Sequence, residues 1–201
     1  MDSQILEAGF REAAMNFYTS EKTDLKEIAE KTAPKPGAAL EEKAASVREI
    51  VEDVKARGDR AVCEYVEKFD GAQLKPSQLA VTKKELAAAT DSMGEKFRTA
   101  AALAAENIWA FHEKQLPGDR LDLESEGAVL GEKWSPVARV GVHIPGAAAP
   151  LVSSVFMTVI PAQVAGVEDI YMVTPPRKDG SIDPARLAAA DLLGVDKVFK
   201  A

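Results

Sequence analysis

Apolar residues recur at helical spacing over the first part of the chain, up to about residue 116. This period predicts an amphipathic helical arm over residues 1–33. The segment 32–38, which contains two prolines and a glycine, predicts a linker after the arm. Two helices are predicted over 40–69, separated by Gly58, because glycine commonly ends a helix in the left-handed conformation. Asp70-Gly71 ends the second of them.

Two capping motifs mark the next helices. Thr82 with Glu85, and Ser92 with Glu95, have the Ser/Thr-x-x-Glu spacing of a capping box. They predict a short helix followed by a long one, which ends before Pro117-Gly118.

The pattern changes to a period of two after residue 120. Alternating residues in 121–130 predict a hairpin that turns at Glu126-Gly127. Apolar residues also alternate with polar or small ones over 139–144, which predicts a half-buried strand. The short apolar run 79–81 predicts a further piece of strand.

Strands and helices then alternate through the rest of the sequence. A helix is predicted from Ser153 to Ala165, kinked or divided by Pro161, and a nearly continuous apolar strand over 169–176. Asp183-Pro184 begins another helix, and 196–201 begins a third strand. Such alternation predicts a parallel sheet with crossover helices. The chain is therefore predicted to be an α/β protein with an N-terminal helical arm.

Composition narrows the function classes. The 201 residues are 46% hydrophobic and 28% charged, with a formal net charge of −7. The net charge and the lack of a Lys/Arg cluster argue against a nucleic-acid partner. No apolar run is long enough to predict a transmembrane helix, and no secretory signal is recognised. The single cysteine predicts a reducing compartment, the cytoplasm.

His143 lies at the carboxyl end of the strand predicted over 139–144, on the face opposite the apolar residues. In open α/β sheets, ligands bind at the carboxyl ends of strands. The small residues 146–149 would let a ligand approach the backbone, and a helix starting near Ser153 could hold an anion. A half-buried histidine that caps the turn is the alternative interpretation. Position alone leaves both open.

The other reactive residues favour structural roles. His112 is predicted in the last turn of the long helix, where the helix dipole stabilises it. Cys63 lies among apolar positions without a basic partner, and Ser153 and Ser154 lack a G-x-S-x-G setting and are predicted to be helix caps. The two histidines match no short metal motif, and the glycines form no G-x-G-x-x-G. We assign no catalytic and no metal-binding residue.

Four stretches resemble the histidinol dehydrogenase family. They are VREIVEDVKARGDRAVCEYVEKFDG (47–71), AAENIWAFHEKQLP (104–117), RVGVHIPGAAAPLVSSVFMTVIPAQVAGVEDIYMVTPP (139–176) and LLGVDKVFKA (192–201). The resemblance extends over residues 40–201, in order and with few gaps. Four separated signatures at family-like spacing are more specific than any single motif.

The resemblance implies an enzyme that oxidises L-histidinol to L-histidine, the last step of histidine biosynthesis. The oxidation takes two NAD-dependent steps, and a bound zinc ion holds the substrate. In the family segment G-[aliphatic]-Y-[V/I]-P-G-G, the aromatic residue contacts the nicotinamide cofactor. His143 occupies that position here, so the resemblance assigns it to the cofactor site. Ala147 stands where the family has its second glycine.

The resemblance also divides the chain. Residues 1–39 form the helical arm, 40–138 the N-terminal part of a first α/β domain, and 139–201 the N-terminal part of a second, Rossmann-like domain. Family members are intertwined homodimers built from two such incomplete Rossmann-like domains. The family's V-G-G-A-Q-A turn, zinc ligands and Glu-His acid/base pair have no counterpart here. We therefore expect the N-terminal portion of the enzyme, inactive alone, with weak or no NAD affinity.

Two other functions are compatible with these residues. One is a portion of a related zinc- and NAD-dependent alcohol dehydrogenase, such as a sulfopropanediol dehydrogenase. The other is a non-catalytic binding or interaction module on the same scaffold. Residues of the substrate pocket would distinguish the two dehydrogenases.

Overall fold

The structure is a computed structural model and describes residues 18–19, 24–33, 38–123, 129–146, 149–195 and 197–201. The chain divides after Glu49 into two units. Most of the arm predicted over 1–33 lies outside the described residues. Its described part contains helix α1, Leu25–Thr32, which begins where the Asp24 side chain accepts a hydrogen bond from the Lys26 amide. Helix α2 follows, Ala38–Arg57.

Two glycines define the next helix, as predicted. Helix α3 spans Asp59–Asp70, and the glycines at its ends, Gly58 and Gly71, have φ angles of 62° and 73°. A side chain with a Cβ rarely adopts this left-handed backbone, so glycine is the residue type that suits both turns.

A cluster of charges joins the end of α2 to α3. The Arg57 guanidinium donates two hydrogen bonds to the Asp53 carboxylate, at 2.5 and 2.6 Å, and a third to Glu64 at 2.7 Å. The Tyr65 hydroxyl donates to Asp53 at 3.0 Å. These hydrogen bonds, that from Arg57 above all, lower the pKa of Asp53 from 3.8 to about 2. The carboxylate is therefore stabilised in its charged form.

We expect this cluster to stabilise the protein above about pH 4 and to lose its effect as the pH falls toward 2. The folded-state pKa of Asp53 lies below the unfolded value, so protonation favours the unfolded chain. Urea unfolding of Arg57→Gln should show lower stability than the unmodified chain at pH 6 and a much smaller difference near pH 2.5. Arg60→Gln, an equal charge change at an exposed neighbour, is the control. A difference that persists at pH 2.5 would contradict the assignment.

The two predicted capping boxes have different outcomes. Helix α4, Lys83–Ser92, begins with the predicted box, in which Thr82 and Glu85 exchange side-chain-to-backbone hydrogen bonds. Helix α5, Glu95–Glu113, has Gly94 as its N-cap, so the prediction that Ser92 caps it is wrong. Ser92 is the last residue of α4, and its hydroxyl donates to the Ala89 carbonyl at 2.7 Å.

The predicted hairpin is present as two antiparallel strands. Strand β1, Arg120–Leu123, pairs with strand β2, Val129–Glu132, and Arg120 lies opposite Glu132. The predicted turn at Glu126-Gly127 lies outside the described residues.

The rest of the chain forms the predicted strand–helix series. It consists of β3 (Arg139–His143), α6 (Val152–Val164), β4 (Asp169–Thr174), α7 (Pro184–Leu192) and β5 (Lys197–Lys200). The three strands are parallel and lie in the order β3-β4-β5. Helix α6 continues through Pro161 as a single element.

Residues 79–81 extend the sheet at its β5 edge. The Val81 amide donates to the Val198 carbonyl, and the Lys200 amide donates to the Leu79 carbonyl, both at 2.8 Å. Ala80 forms an antiparallel bridge with Phe199. The predicted strand is therefore a short antiparallel edge that joins the segment between α3 and α4 to the last strand of the second unit.

The core lies between one face of the sheet and the helices. The sheet contributes Val142, Ile144, Met172 and Val198, which are all buried. Buried residues of α4, α5, α6 and α7 complete the cluster. On the opposite face, side chains such as Tyr171 and His143 are half-buried or exposed. The alternation along β3 therefore separates a core face from a more accessible face, as predicted.

A buried lysine closes the carboxyl end of β5. Lys200 is 7% exposed, and its ammonium group donates to the Glu85 carboxylate at 2.6 Å. Because Glu85 also closes the capping box of α4, this ion pair attaches the start of that helix to the sheet. In the described part of the chain, no helix is long and apolar enough to cross a membrane.

Candidate functional site

The candidate site lies at the carboxyl end of the parallel sheet, where the loops after β3 and β4 meet. A cavity of about 470 Å³ opens there. Its lining includes Gly146 from the loop after β3, Pro175, Pro176 and Arg177 from the loop after β4, and Asp183 and Arg186 from the start of α7. Asp70, the last residue of α3, completes it. The position agrees with the general location of ligand sites in open α/β sheets.

The close approach of Pro175, in the loop after β4, leaves room only for a glycine at position 146. A Cβ atom on this residue would lie 2.6 Å from the Cγ atom of Pro175, closer than nonbonded atoms approach. We predicted that small residues here would admit a ligand to the backbone. The structure shows that the space beside Gly146 is filled by the proline ring, which holds the two loops together at the edge of the cavity.

Arg186 contributes a buried positive charge to the cavity. It lies in the first turn of α7, is 4% exposed, and contacts the loop after β3 and the last residue of β4. Its Nε atom donates to the Pro150 carbonyl at 2.9 Å, and its Nη1 atom donates to the Thr174 hydroxyl at 2.8 Å. Burial lowers the pKa of the Arg186 guanidinium from its usual range.

The other charged residues of the cavity are partly neutralised. Arg177 forms an ion pair with Asp183. Asp183 also caps α7, since its carboxylate accepts a hydrogen bond from the Ala185 amide at 2.9 Å, as its N-cap position predicts. Burial raises the pKa of the Asp70 carboxyl group. Among the described residues, the side-chain hydrogen bonds of Arg186 therefore go to neutral groups.

His143 lies at the carboxyl end of β3, as predicted, and its side chain is exposed. It pairs in the sheet with Val173, on the accessible face rather than the core face. The cavity lining begins three residues later, at Gly146. The side chain is therefore not half-buried, as the alternative interpretation of a turn-capping histidine required.

The start of α6 differs from the prediction. The helix begins at Val152, and Leu151 occupies the cap position with φ 50° and ψ 42°. Ser153 and Ser154 lie inside the first turn, so the prediction that they cap the helix is wrong. A left-handed leucine is a strained conformation, and such strain persists where neighbouring contacts hold it. The Arg186 hydrogen bond to Pro150, the residue before Leu151, is such a contact.

His112 and Cys63 do not join the site. His112 lies in the last turn of α5, where its Nδ1 atom lies 2.6 Å from the Gln115 side-chain oxygen. Cys63 is 8% exposed on α3, and burial raises the pKa of its thiol, which disfavours the reactive thiolate. Across the described residues, no group of three or more His, Cys, Asp or Glu could hold a metal ion.

Sequence reasoning missed Arg186. The signal available was its spacing, because Ala189 and Ala190, three and four residues further along α7, are fully buried. Residues at this spacing share a helix face. An arginine on an apolar helix face at the carboxyl end of a parallel sheet is a signal for a functional residue.

The sheet and its cavity define an α/β protein of the class that binds ligands at the carboxyl ends of parallel strands. The comparisons then give the family. The model of the family "Histidinol dehydrogenase" matches residues 33–201, so the chain belongs to the histidinol dehydrogenase family. The resemblance stated for residues 40–201 is confirmed.

Individual relatives agree with this assignment. The chain is 43% identical over 156 residues to the histidinol dehydrogenase of Symbiobacterium thermophilum, covering 78% of this chain and 36% of that protein. It is 41% identical over 176 residues to that of Methanocaldococcus jannaschii, covering 87% and 41%. The crystal structure of histidinol dehydrogenase from Elizabethkingia anophelis matches with a TM-score of 0.74 and 36% identity, covering 79% of this chain and 36% of that one. The chain thus spans well under half the length of these relatives.

Proposed function

We propose that this chain supplies the cofactor side of an NAD-dependent enzyme that oxidises L-histidinol to L-histidine. The family match over residues 33–201 is the observation that carries the proposal. The cavity at the carboxyl end of the sheet supports it, because this is where α/β proteins bind cofactors. We also propose that the complete enzyme is a homodimer in the cytoplasm. The domain boundaries proposed for this chain lie between residues 39 and 40 and between residues 138 and 139.

The described residues fit NAD better than they fit zinc. His143 is an exposed ring at the end of β3, and Arg186 and Arg177 bring positive charge to the neighbouring cavity. A dinucleotide binds through aromatic groups that contact its rings and through cationic groups that contact its phosphates. By contrast, the described residues contain no group of three or more His, Cys, Asp or Glu side chains that could bind zinc. We derive no zinc-dependent step from this chain and expect no histidinol oxidation by the chain alone.

The role proposed for His143 is to hold a cofactor ring. When bound, NAD supplies the hydride acceptor of the oxidation. An imidazole can stack on an aromatic ring or form a hydrogen bond to it. The exposure of His143 leaves its ring available for either contact. Its task is to orient the ring at the strand end, and no proton transfer is assigned to it.

We expect His143→Ala to weaken NAD binding about 5- to 150-fold, the range for loss of a stacking contact of about 1–3 kcal/mol. Heteronuclear NMR titration of the labelled chain measures dissociation constants in the millimolar range and suits weak binding. His143→Tyr, which restores the family's aromatic residue, should bind at least as tightly as the unmodified chain.

The control is His112→Ala, which removes the other histidine, at the end of α5, and should leave NAD binding unchanged. Equal binding by His143→Ala and the unmodified chain would overturn the assignment of His143. Of the weak or absent NAD affinity expected from the sequence, the cofactor-side function requires the weak binding, so an unmodified chain without NMR shifts in millimolar NAD would overturn it.

A further inference from the structure

Arg186 is a buried cation whose contacts in the described part of the chain do not neutralise it. Its two hydrogen bonds go to a backbone carbonyl, that of Pro150, and to the Thr174 hydroxyl. The Asp183 carboxylate, three residues earlier, attracts the Arg186 guanidinium electrostatically, but its hydrogen bonds go to Arg177 and to the Ala185 amide. Burying a charge without a hydrogen-bonded counter-ion is unfavourable. An anion bound in the cavity would supply the missing partner.

The geometry of the guanidinium leaves donors for such an anion. Arginine has five N–H groups, and the two hydrogen bonds occupy one on Nε and one on Nη1. The remaining donors are on Nη1 and Nη2. Arg186 lines the cavity of about 470 Å³, which has room for a group of phosphate size. Planar guanidinium groups with adjacent free donors bind phosphate oxygens in pairs.

The rest of the lining is compatible with one anionic group. Pro175, Pro176 and Gly146 are uncharged, and Arg177 shares its charge with Asp183. Asp70 is the remaining carboxyl group of the lining, and burial raises its pKa. Asp70 can also accept a hydrogen bond from a hydroxyl group of the same ligand.

We propose that Arg186 binds a phosphate or diphosphate ester in this cavity. The identification of that ester with a dinucleotide rests on the proposed function. His143 and Gly146 are three residues apart, so their Cα atoms are at most about 11 Å from each other. A dinucleotide can span this distance, with a ring at His143 and its phosphates at Arg186.

The test is an NMR titration of the full chain with inorganic pyrophosphate, ADP, NAD and nicotinamide riboside, which has no phosphate. Pyrophosphate and ADP should shift the Nε–H resonance of Arg186. In Arg186→Lys, which keeps the charge but loses the paired donors, binding of pyrophosphate, ADP and NAD should weaken at least 10-fold. Nicotinamide riboside should bind both chains equally. Arg139→Lys, the same replacement at the opposite end of β3, is the control and should bind all four compounds normally.

A purely structural arginine gives a different result. If Arg186 only fixes the loop before α6, its variant loses stability but pyrophosphate shifts no Arg186 resonance in the unmodified chain, which overturns the proposal. The resonance measurement needs no variant, so poor folding of Arg186→Lys does not affect it. NAD binding that is equal in both chains also overturns the proposal and leaves the proposed function intact. Pyrophosphate and ADP binding at Arg186 without NAD binding would support the phosphate site and overturn the proposed function.

Discussion

Replacement of Phe156 by alanine is expected to lower the free energy of unfolding by about 3–5 kcal/mol. Phe156 lies on α6, is 3% exposed, and packs in the core between the helices and the sheet. Its neighbours in the cluster include Val155 and Ile160 on the same helix and Met172 on β4, all fully buried. These side chains cannot fill the space of a lost ring without moving the sheet. The loss therefore combines the transfer of the ring from water with an unfilled cavity.

Urea unfolding followed by circular dichroism measures this change. Met157→Ala is the matched control, because Met157 is the next residue of the same helix and is 50% exposed. It loses side-chain atoms at nearly the same helix position but leaves no enclosed cavity, so its effect should stay below about 1 kcal/mol. Equal losses for the two variants would contradict the placement of the core on this face of α6.

Replacement of Gly146 by alanine is expected to destabilise the protein by about 1–3 kcal/mol, the range for an added group that overpacks its surroundings. The new Cβ atom would lie 2.6 Å from the ring of Pro175, so the loops after β3 and β4 must separate. The same movement would open the cavity that both loops line. We therefore expect the variant to lose stability and to change the NMR shifts of residues around the cavity.

Gly141→Ala is the control for this effect. Gly141 lies five residues earlier on β3, and a Cβ atom there would have nothing within 4 Å. Because alanine restricts the unfolded chain more than glycine does, this variant should be neutral or slightly more stable. If Gly146→Ala is as stable as Gly141→Ala, the close approach of Pro175 does not constrain the loop.

Local patterns predicted most elements of the second unit. The alternation of β3 and the capping residues Asp183 and Thr82 act over two to four residues, so the sequence displays them directly. The failure at Ser92 has a physical reason. Its box with Glu95 competes with the end of α4, where the Ser92 hydroxyl instead satisfies the Ala89 carbonyl.

The site was predicted less completely than the fold. His143 could be placed at a strand end because a period of two determines which way its side chain points. The contact between Gly146 and Pro175, and the hydrogen bonds of Arg186 to Pro150 and Thr174, join segments that are separated in sequence. No local period encodes such contacts. The prediction of NAD as the cofactor came from the resemblance to the family, because the individual residues did not indicate it.

The pairing of Lys200 with Glu85 has a consequence for the order of folding. These residues are 115 positions apart, and the edge formed by residues 79–81 joins the same strand. Closing so long a loop costs conformational entropy, which contacts between sequence neighbours do not offset. Folds with many contacts between distant residues therefore form slowly. During synthesis on the ribosome, the ion pair between α4 and β5 cannot form before β5 has left the exit tunnel. The second unit is therefore expected to acquire its final packing in a late, cooperative step.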